Sequence, residues 1–351
     1  LINSEIHFLE NNKLPFWVSS NKNGMHSKGS IANFKISEKL KVFRYGAEII
    51  FPLIQNEEKL LSQAYLRLEN NNLYIRVGKK FNLPKFNNLS SGSFVESSNA
   101  SPVPKISIGL KDYQNIRLFK FNFQYLASIA HGWLKSNDYI TNPYLHQKSI
   151  SIKKKISENS NIELGLDHMA IWAGETKQFG KLPSSSKDFI RIIFALPGDK
   201  NSESQEQKNS LGNHLGAWNY SYEKKYKDKK IKFYGEHPFE DESGARWLLN
   251  RFDGLYGINI NYDQPSLISC LTYEYINTMN QSGAEGSSDT TYGWDNYYNH
   301  YIYQSGWTNN GRVIGNPLFT LGSNKGRYSD GQYIVNNRLR VHHFGLQGSI
   351  S

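Results

Sequence analysis

The chain has 351 residues, of which 38% are hydrophobic and 14% aromatic, with a single cysteine and a formal net charge of +10. That length allows one large all-β domain or two ordinary ones, and the lone Cys270 excludes a disulfide framework or a cysteine zinc site within the chain. The positive charge favours an acidic polymer or anionic lipid head groups; a nucleic-acid partner is not expected, because no Lys/Arg block carries interleaved aromatics.

No stretch reaches about 18 apolar residues, which excludes a transmembrane helix but leaves a transmembrane barrel open, since barrels hide their signal in alternation. The opening "LINSEIHFLENN" has neither a basic-then-apolar secretion signal nor an initiating Met, as expected of a mature or truncated chain.

Period-two segments follow from there: "LKVFRYGAEIIFPL", "QAYLRLE" and "NLYIRVGKK" come first. The cleanest is "RLFKFNFQYLASIAH". Phe119, Phe121, Phe123, Tyr125, Ala127 and Ile129 share one face, and Lys120, Asn122, Gln124 and Ser128 share the other. Such a strand suits a wall between lipid and a watery lumen. Similar segments are "HQKSISIKKKI", "NIELGLDHMAIW", "HLGAWNYSYEKKY", "KKIKFYGEH", "DGLYGININY" and "SLISCLTYEYINT".

Short connections ("SEKLK", "NNN", "KDYQN", "ENSN", "KDKK", "DQPS") alternate with long ones, roughly 82–102, 131–143, 174–212, 241–252 and 278–330. Short turns on one side and long loops on the other are the habit of an outer-membrane barrel. "ENSN" and "KDKK" should lie on one side, so an even number of strands must join them. We therefore read "SSSKDFIRIIFALPG" as a short loop helix near 187–196 rather than a strand. Ser186 would be its cap, Asp188 would suit its first turn, and Pro197-Gly198 would stop it. The fold class is thus all-β, an antiparallel transmembrane β-barrel with long extracellular loops, and residues 1–351 read as a single domain. From "SKGSIANFKIS" to "YIVNNRLRVHHFGLQ" the pattern gives roughly thirteen spanning strands. An odd, open set would leave bare edges in lipid, so a partial barrel is expected, with strands missing after Ser351.

The stretches "PFWVSSNKNG", "LSSGSFVESSNASPVPKI", "AHGWL", "LHQKSISI", "GLDHMAIWAG", "NHLGAWNYSYE", "YGEHPFEDESG", "DGLYGI", "YEYINTMNQSG" and "DNYYNHYIYQSGW…GRVIGNP", in that order, together resemble the capsule assembly Wzi family. The resemblance implies an outer-membrane barrel of about eighteen strands in a Gram-negative bacterium. It further implies a lectin that binds capsular or exopolysaccharide and anchors it at the cell surface. The family's N-terminal helical plug has no counterpart here.

Candidate carbohydrate contacts are Asp295, Asn296, Tyr297, Tyr298, Asn299 and Trp307, because aromatic faces stack on sugars while Asn and Asp bond hydroxyls. Trp247, Tyr292, Trp294, Tyr301 and Tyr303 are further loop rings. "YGEHPFEDESG" adds Glu236, His237 and Asp241, and Asp253 and Glu274 could join them in space. Paired carboxylates with a histidine would also suit a glycosidase or a metal, but no metal-ligand spacing occurs, and a hydrogen-bonded rim is the better reading. No catalytic residue, metal or cofactor is assigned. Trp133, Trp172, Trp218, Tyr273 and Tyr275 read as an interfacial girdle, and His131 and His168 as structural. "LSSGSF" reads as a turn. The alternatives to the lectin are a sugar-selective porin and a glycan hydrolase or lyase built on Glu236 and Asp241.

Overall fold

A computed structural model describes residues 2–7, 16–24, 31–52, 60–81, 83–240, 252–264, 267–282, 295–322 and 333–349. Its main feature is one 15-stranded antiparallel sheet, curved into a wall in chain order. The strands are β1 (Ile2–His7), β2 (Ile31–Leu40), β3 (Phe43–Pro52), β4 (Leu60–Asn70), β5 (Leu73–Lys79), β6 (Lys105–Leu110), β7 (Gln114–Leu118) and β8 (Phe121–Trp133). Then follow β9 (Tyr144–Ser157), β10 (Ser160–Trp172), β11 (Asn213–Tyr226), β12 (Lys229–Phe239), β13 (Gly254–Tyr262), β14 (Cys270–Asn277) and β15 (Arg340–Gln347). Among the described residues β1 and β15 do not pair with each other, so the barrel is open there.

Alternation along the strands gives the wall two unlike faces. Register carries one row through Leu66, Val77 and Ile106, and the next through Leu68, Ile75, Ile108 and Ile129. These side chains are exposed, as are Ile150, Ile152, Leu164, Phe233 and Phe344 on the same face farther round. A continuous apolar surface of this kind is the lipid-facing belt of a barrel. No helix of the described residues is long and apolar enough to cross a membrane.

The inner face is polar. Glu48 accepts from Asn33 Nδ2 at 2.6 Å and Gln63 Nε2 at 2.7 Å, and Arg44 and Arg67 converge on Glu69 at 3.0 and 2.8 Å.

The described short connections, 41–42, 71–72, 119–120, 158–159 and 227–228, lie at one end of the wall and the described long ones, 83–104, 134–143 and 173–212, at the other, as expected. One hairpin differs from the sequence reading. "KDYQN" is not its turn: β6 and β7 both pair with β8, end to end, as one crossing interrupted at Lys111–Tyr113. The chain reverses at Phe119–Lys120, where Phe119 takes φ 55° and is 97% exposed. Phe119 is therefore a turn residue and not part of the β8 row. With β6 and β7 counted as one crossing, the thirteen expected strands are all present from Ile31 onward, and β1 is an addition.

The loop helix is α2 (Ser186–Phe194), and the parity argument holds. Its cap is Ser185 rather than Ser186. Ser185 Oγ accepts from the Asp188 amide and Asp188 accepts from the Ser185 amide, a reciprocal pair that fixes the first turn; Ala195 ends the helix in the left-handed region. Phe189 stacks on Trp172 at 5.4 Å and 18°, and Ile192 packs with Ala170, Trp172 and Leu211. Trp172 shares its row with Tyr144 and the exposed Trp133, so α2 lies on the outer face of the wall.

Candidate functional site

The largest buried cluster sits inside the wall at the long-loop end. It joins inward residues of the strands (Leu145, Met169, Leu215, Leu255, Ile276) to two connections folded into the lumen, 83–104 and 295–322. Two wall carboxylates hold the first connection. Glu274 accepts from Ser90 Oγ at 2.6 Å and Tyr234 Oη at 2.7 Å on one oxygen, and from the Ser91 amide at 2.8 Å and Oγ at 2.6 Å on the other. Glu236 accepts from Ser93 Oγ at 2.6 Å and the Phe94 amide at 2.7 Å. Both glutamates are 0% exposed. A buried carboxylate is tolerable only when its oxygens are met by donors, and "LSSGSF" supplies them in alternation from side chain and main chain. The segment is an irregular loop that follows a turn at 88–89 rather than the turn the sequence suggested, with its partners 143 and 183–184 residues away.

Lys85 adds the countercharge. It bonds Asp167 and, at 2.6 Å, Asn219 Oδ1, and stands 3.5 Å from Glu236. Burial alone would lower its pKa, but the Asp167 and Glu236 carboxylates outweigh burial and raise it, so the cation is held.

The second connection closes over the first. Trp307 Nε1 donates to the Val95 carbonyl at 2.8 Å, Tyr298 Oη donates to the Phe94 carbonyl at 2.5 Å, and the Asn316 amide donates to Tyr298 Oη at 2.9 Å. Tyr298 also meets Phe319 edge-on at 4.4 Å. Gly315 is required at this junction, since a Cβ there would overlap the Phe94 carbonyl and the Tyr298 hydroxyl.

The expected sugar-facing rings thus need correction. Trp307, Tyr297 and Tyr298 are 0–1% exposed and form the centre of the lumen plug. A connection long enough to fold back removes large rings from water, which outweighs leaving them on a surface.

The other candidates are spread over three places. Asp253 accepts from the Asn280 and Gln281 amides at 2.9 and 2.6 Å and from Tyr297 Oη at 3.2 Å; burial raises its pKa against these bonds. Asp295 accepts from Ser282 Oγ at 2.5 Å. Asn296 Oδ1 accepts from Asn299 and Asn337, and Asn299 bonds both the amide and the carbonyl of Ile334. These four tie the plug's second connection to its neighbours. His237 alternates with Glu236 and so points to the outer face, across from Trp218. Asp241, Trp247, Tyr292 and Trp294 lie outside the described residues.

Above the plug the mouth carries polar clefts. In the connection 134–143, Asn137 Oδ1 accepts from the Tyr139 and Ile140 amides at 2.9 and 3.1 Å. Ile140–Thr141 then pairs in a small three-stranded sheet with Glu175–Thr176 and Gly180–Lys181. Across from it Gln304 Nε2 donates to Gln178 Oε1 at 3.1 Å. A cleft of about 250 Å³ lies between Lys135, Asn137, Tyr139, Asn310 and Tyr333, and one of about 100 Å³ between Tyr139, Lys177, Gln178 and Gln304. Asp138 and Tyr139 line both. The sequence reading missed Tyr139, Tyr333 and Lys85, each a single residue without a motif. A cavity of about 580 Å³ also opens along β15, the strand with no second neighbour among the described residues.

A strand wall with an apolar outside, a polar inside, short turns at one end and a folded-in plug at the other defines a β-barrel of the outer membrane. The chain belongs to the family of capsule assembly protein Wzi, whose profile matches residues 8–327. Among solved structures it is similar to Wzi of Escherichia coli, described as an outer membrane protein involved in group 1 capsule assembly and a carbohydrate-binding β-barrel. The two are 13% identical with a TM-score of 0.53, over 83% of this chain and 58% of that one, so this chain spans under two thirds of that protein's length. Pseudomonas aeruginosa OccD3 matches at 10% identity and a TM-score of 0.32, over 76% of this chain and 71% of that one. Acinetobacter baumannii OccAB2 matches at 14% and 0.30, over 72% and 75%. Comparison with curated proteins gave no match.

Proposed function

We propose that this barrel binds capsular or exopolysaccharide at its outer mouth and holds it on the cell surface, without cleaving it. The observation that carries the reading is the plug: connections 83–104 and 295–322 occupy the lumen at the long-loop end, the first bonded to the buried wall carboxylates Glu274 and Glu236 and the second to the first. A wall filled in this way favours binding over passage, so the porin alternative is the weaker one. Glu236, the residue a glycosidase would need, has both oxygens engaged by Ser93 and Phe94 and is 0% exposed, which argues against acid/base work on a sugar. Outer-leaflet lipid surrounds the apolar belt. The net charge of +10 supports an acidic glycan, and nucleic acid has no place in the reading.

The test is a pull-down of the source strain's capsular polysaccharide by the protein in liposomes, with reducing ends counted over time. Binding that weakens as salt rises, with no new reducing ends, is expected. A steady release of reducing ends, lost in Glu236→Gln, would make the protein an enzyme.

A further inference from the structure

We infer that the glycan seat is the pair of clefts on either side of Tyr139, and that it takes two neighbouring sugar units of an acidic polysaccharide chain. The inference rests on the polysaccharide-binding reading and adds where and what the protein binds.

Most large rings of the second connection are spent inside the plug, where Tyr298 and Trp307 bond main-chain carbonyls and Tyr297 bonds Asp253. Tyr139 and Tyr333 are different: both are half-buried, with ring centroids 5.8 Å apart at 62°, so they form a corner open to the outside. A ring in that position offers a stacking face to a sugar. Tyr139 is also held in place before any ligand arrives. Asn137 closes the turn around it, and Ile140, 2% exposed, locks the next residue into the small sheet. A pre-ordered ring loses little entropy on binding.

The two volumes, about 250 and 100 Å³, together fall just inside the lower end of the roughly 300–1,000 Å³ usual for small-ligand pockets. They meet at Asp138 and Tyr139 on the outward surface, which suits consecutive units of a polymer with the ring between them. Around them stand side chains that donate to and accept from hydroxyls, Asn310 on one side and Gln178 and Gln304 on the other. Lys135 lines the larger cleft and Lys177 the smaller, two cations against the one carboxylate of Asp138. That balance favours sugars bearing a carboxylate.

The experiment measures affinity for the source strain's purified capsular polysaccharide, using the full protein in liposomes. Tyr139→Ala is expected to weaken binding roughly tenfold, Tyr139→Phe to keep it, and Lys135→Ala with Lys177→Ala to flatten its salt dependence. Asn310→Trp crowds the larger cleft from another part of its lining with Tyr139 unchanged in sequence, so it should weaken binding even if Tyr139→Ala disturbs the loop. Lys200→Ala, on an exposed loop away from the clefts, is the unchanged control. Wild-type affinity in both Tyr139→Ala and Asn310→Trp would overturn the seat while leaving surface binding standing. A wild-type protein that binds no polysaccharide would overturn both.

Discussion

Two long stretches at the same end of the wall, 173–212 and 295–322, take opposite routes. The first gives 175–182 to the mouth and the inner cluster, then turns outward and lays α2 on the outer face, where Phe189 covers Trp172 and neighbours the rings of His131 and His146. The second turns inward and fills the lumen with Tyr297, Tyr298, Tyr303 and Trp307. The inward stretch is the richer in rings, with six in 295–322 against three in 173–212. The partners offered by the wall differ as well. Outside, a platform of Tyr144, Trp172 and imidazoles meets a helix with one apolar side; inside, Glu236 and Glu274 hold 90–94, and the Phe94 and Val95 carbonyls receive Tyr298 and Trp307.

The strongest way to break this contrast is at Trp307. If the ring is plug core, Trp307→Ala should cost about 3–5 kcal/mol, read as early unfolding of the barrel and protease cleavage within 295–322. An exposed ring would cost at most about 0.5 kcal/mol.

The two faces of the wall can be compared next. Leu164 is 59% exposed in the middle of the belt, so Leu164→Arg should cost about 2–4 kcal/mol in folding titrations into bilayers. Phe121 begins β8 beside the Phe119–Lys120 turn, so Phe121→Arg should cost no more than about 1 kcal/mol. Equal costs would mean that the belt is not where the exposed rows put it.

The outward loop carries its own pH dependence. Glu206 is 3% exposed, and burial pushes its carboxyl up to about 7 against one bond from the Gly212 amide at 2.9 Å. Between its unfolded value near 4.5 and about 7 the folded loop binds the extra proton. Its stability is therefore full below 4.5 and falls as pH rises through 7, by on the order of 2 kcal/mol between pH 5 and 8. Hydrogen exchange across 197–212 should be slower at pH 5 than at pH 8 after correction for intrinsic rates, and Glu206→Gln should remove the difference.

A smaller effect is expected at the helix cap. Ser185→Ala deletes the acceptor for the Asp188 amide and should destabilise α2 by about 1 kcal/mol, seen as faster exchange in 186–194. Ser186→Ala should do little, which separates the observed cap from the one the sequence suggested.

Much of the wall was legible because alternation is local: each strand reports its two faces within a few residues. α2 was legible for the same reason, from Ser and Asp at its first turn and Pro-Gly just past its end. The hairpin at Phe119 was misread because an aromatic turn residue continues the apolar row of Phe121 and Phe123 without a break. The plug was hidden for a different reason. Ser93 and Glu236 lie 143 residues apart, and nothing near either one tells that a loop serine will satisfy a wall carboxylate. Without that link, Tyr297 and Trp307 read as surface rings.

Single-channel recording in planar bilayers tests the central claim most directly, that the lumen is plugged and binding occurs above the plug. The wild-type protein should stay closed, and Glu236→Ala combined with Glu274→Ala, which strands the donors of Ser90, Ser91, Ser93 and Phe94, should produce opening events. A wild-type protein that conducts steadily, at the level of the double variant, would contradict the account and return the porin reading.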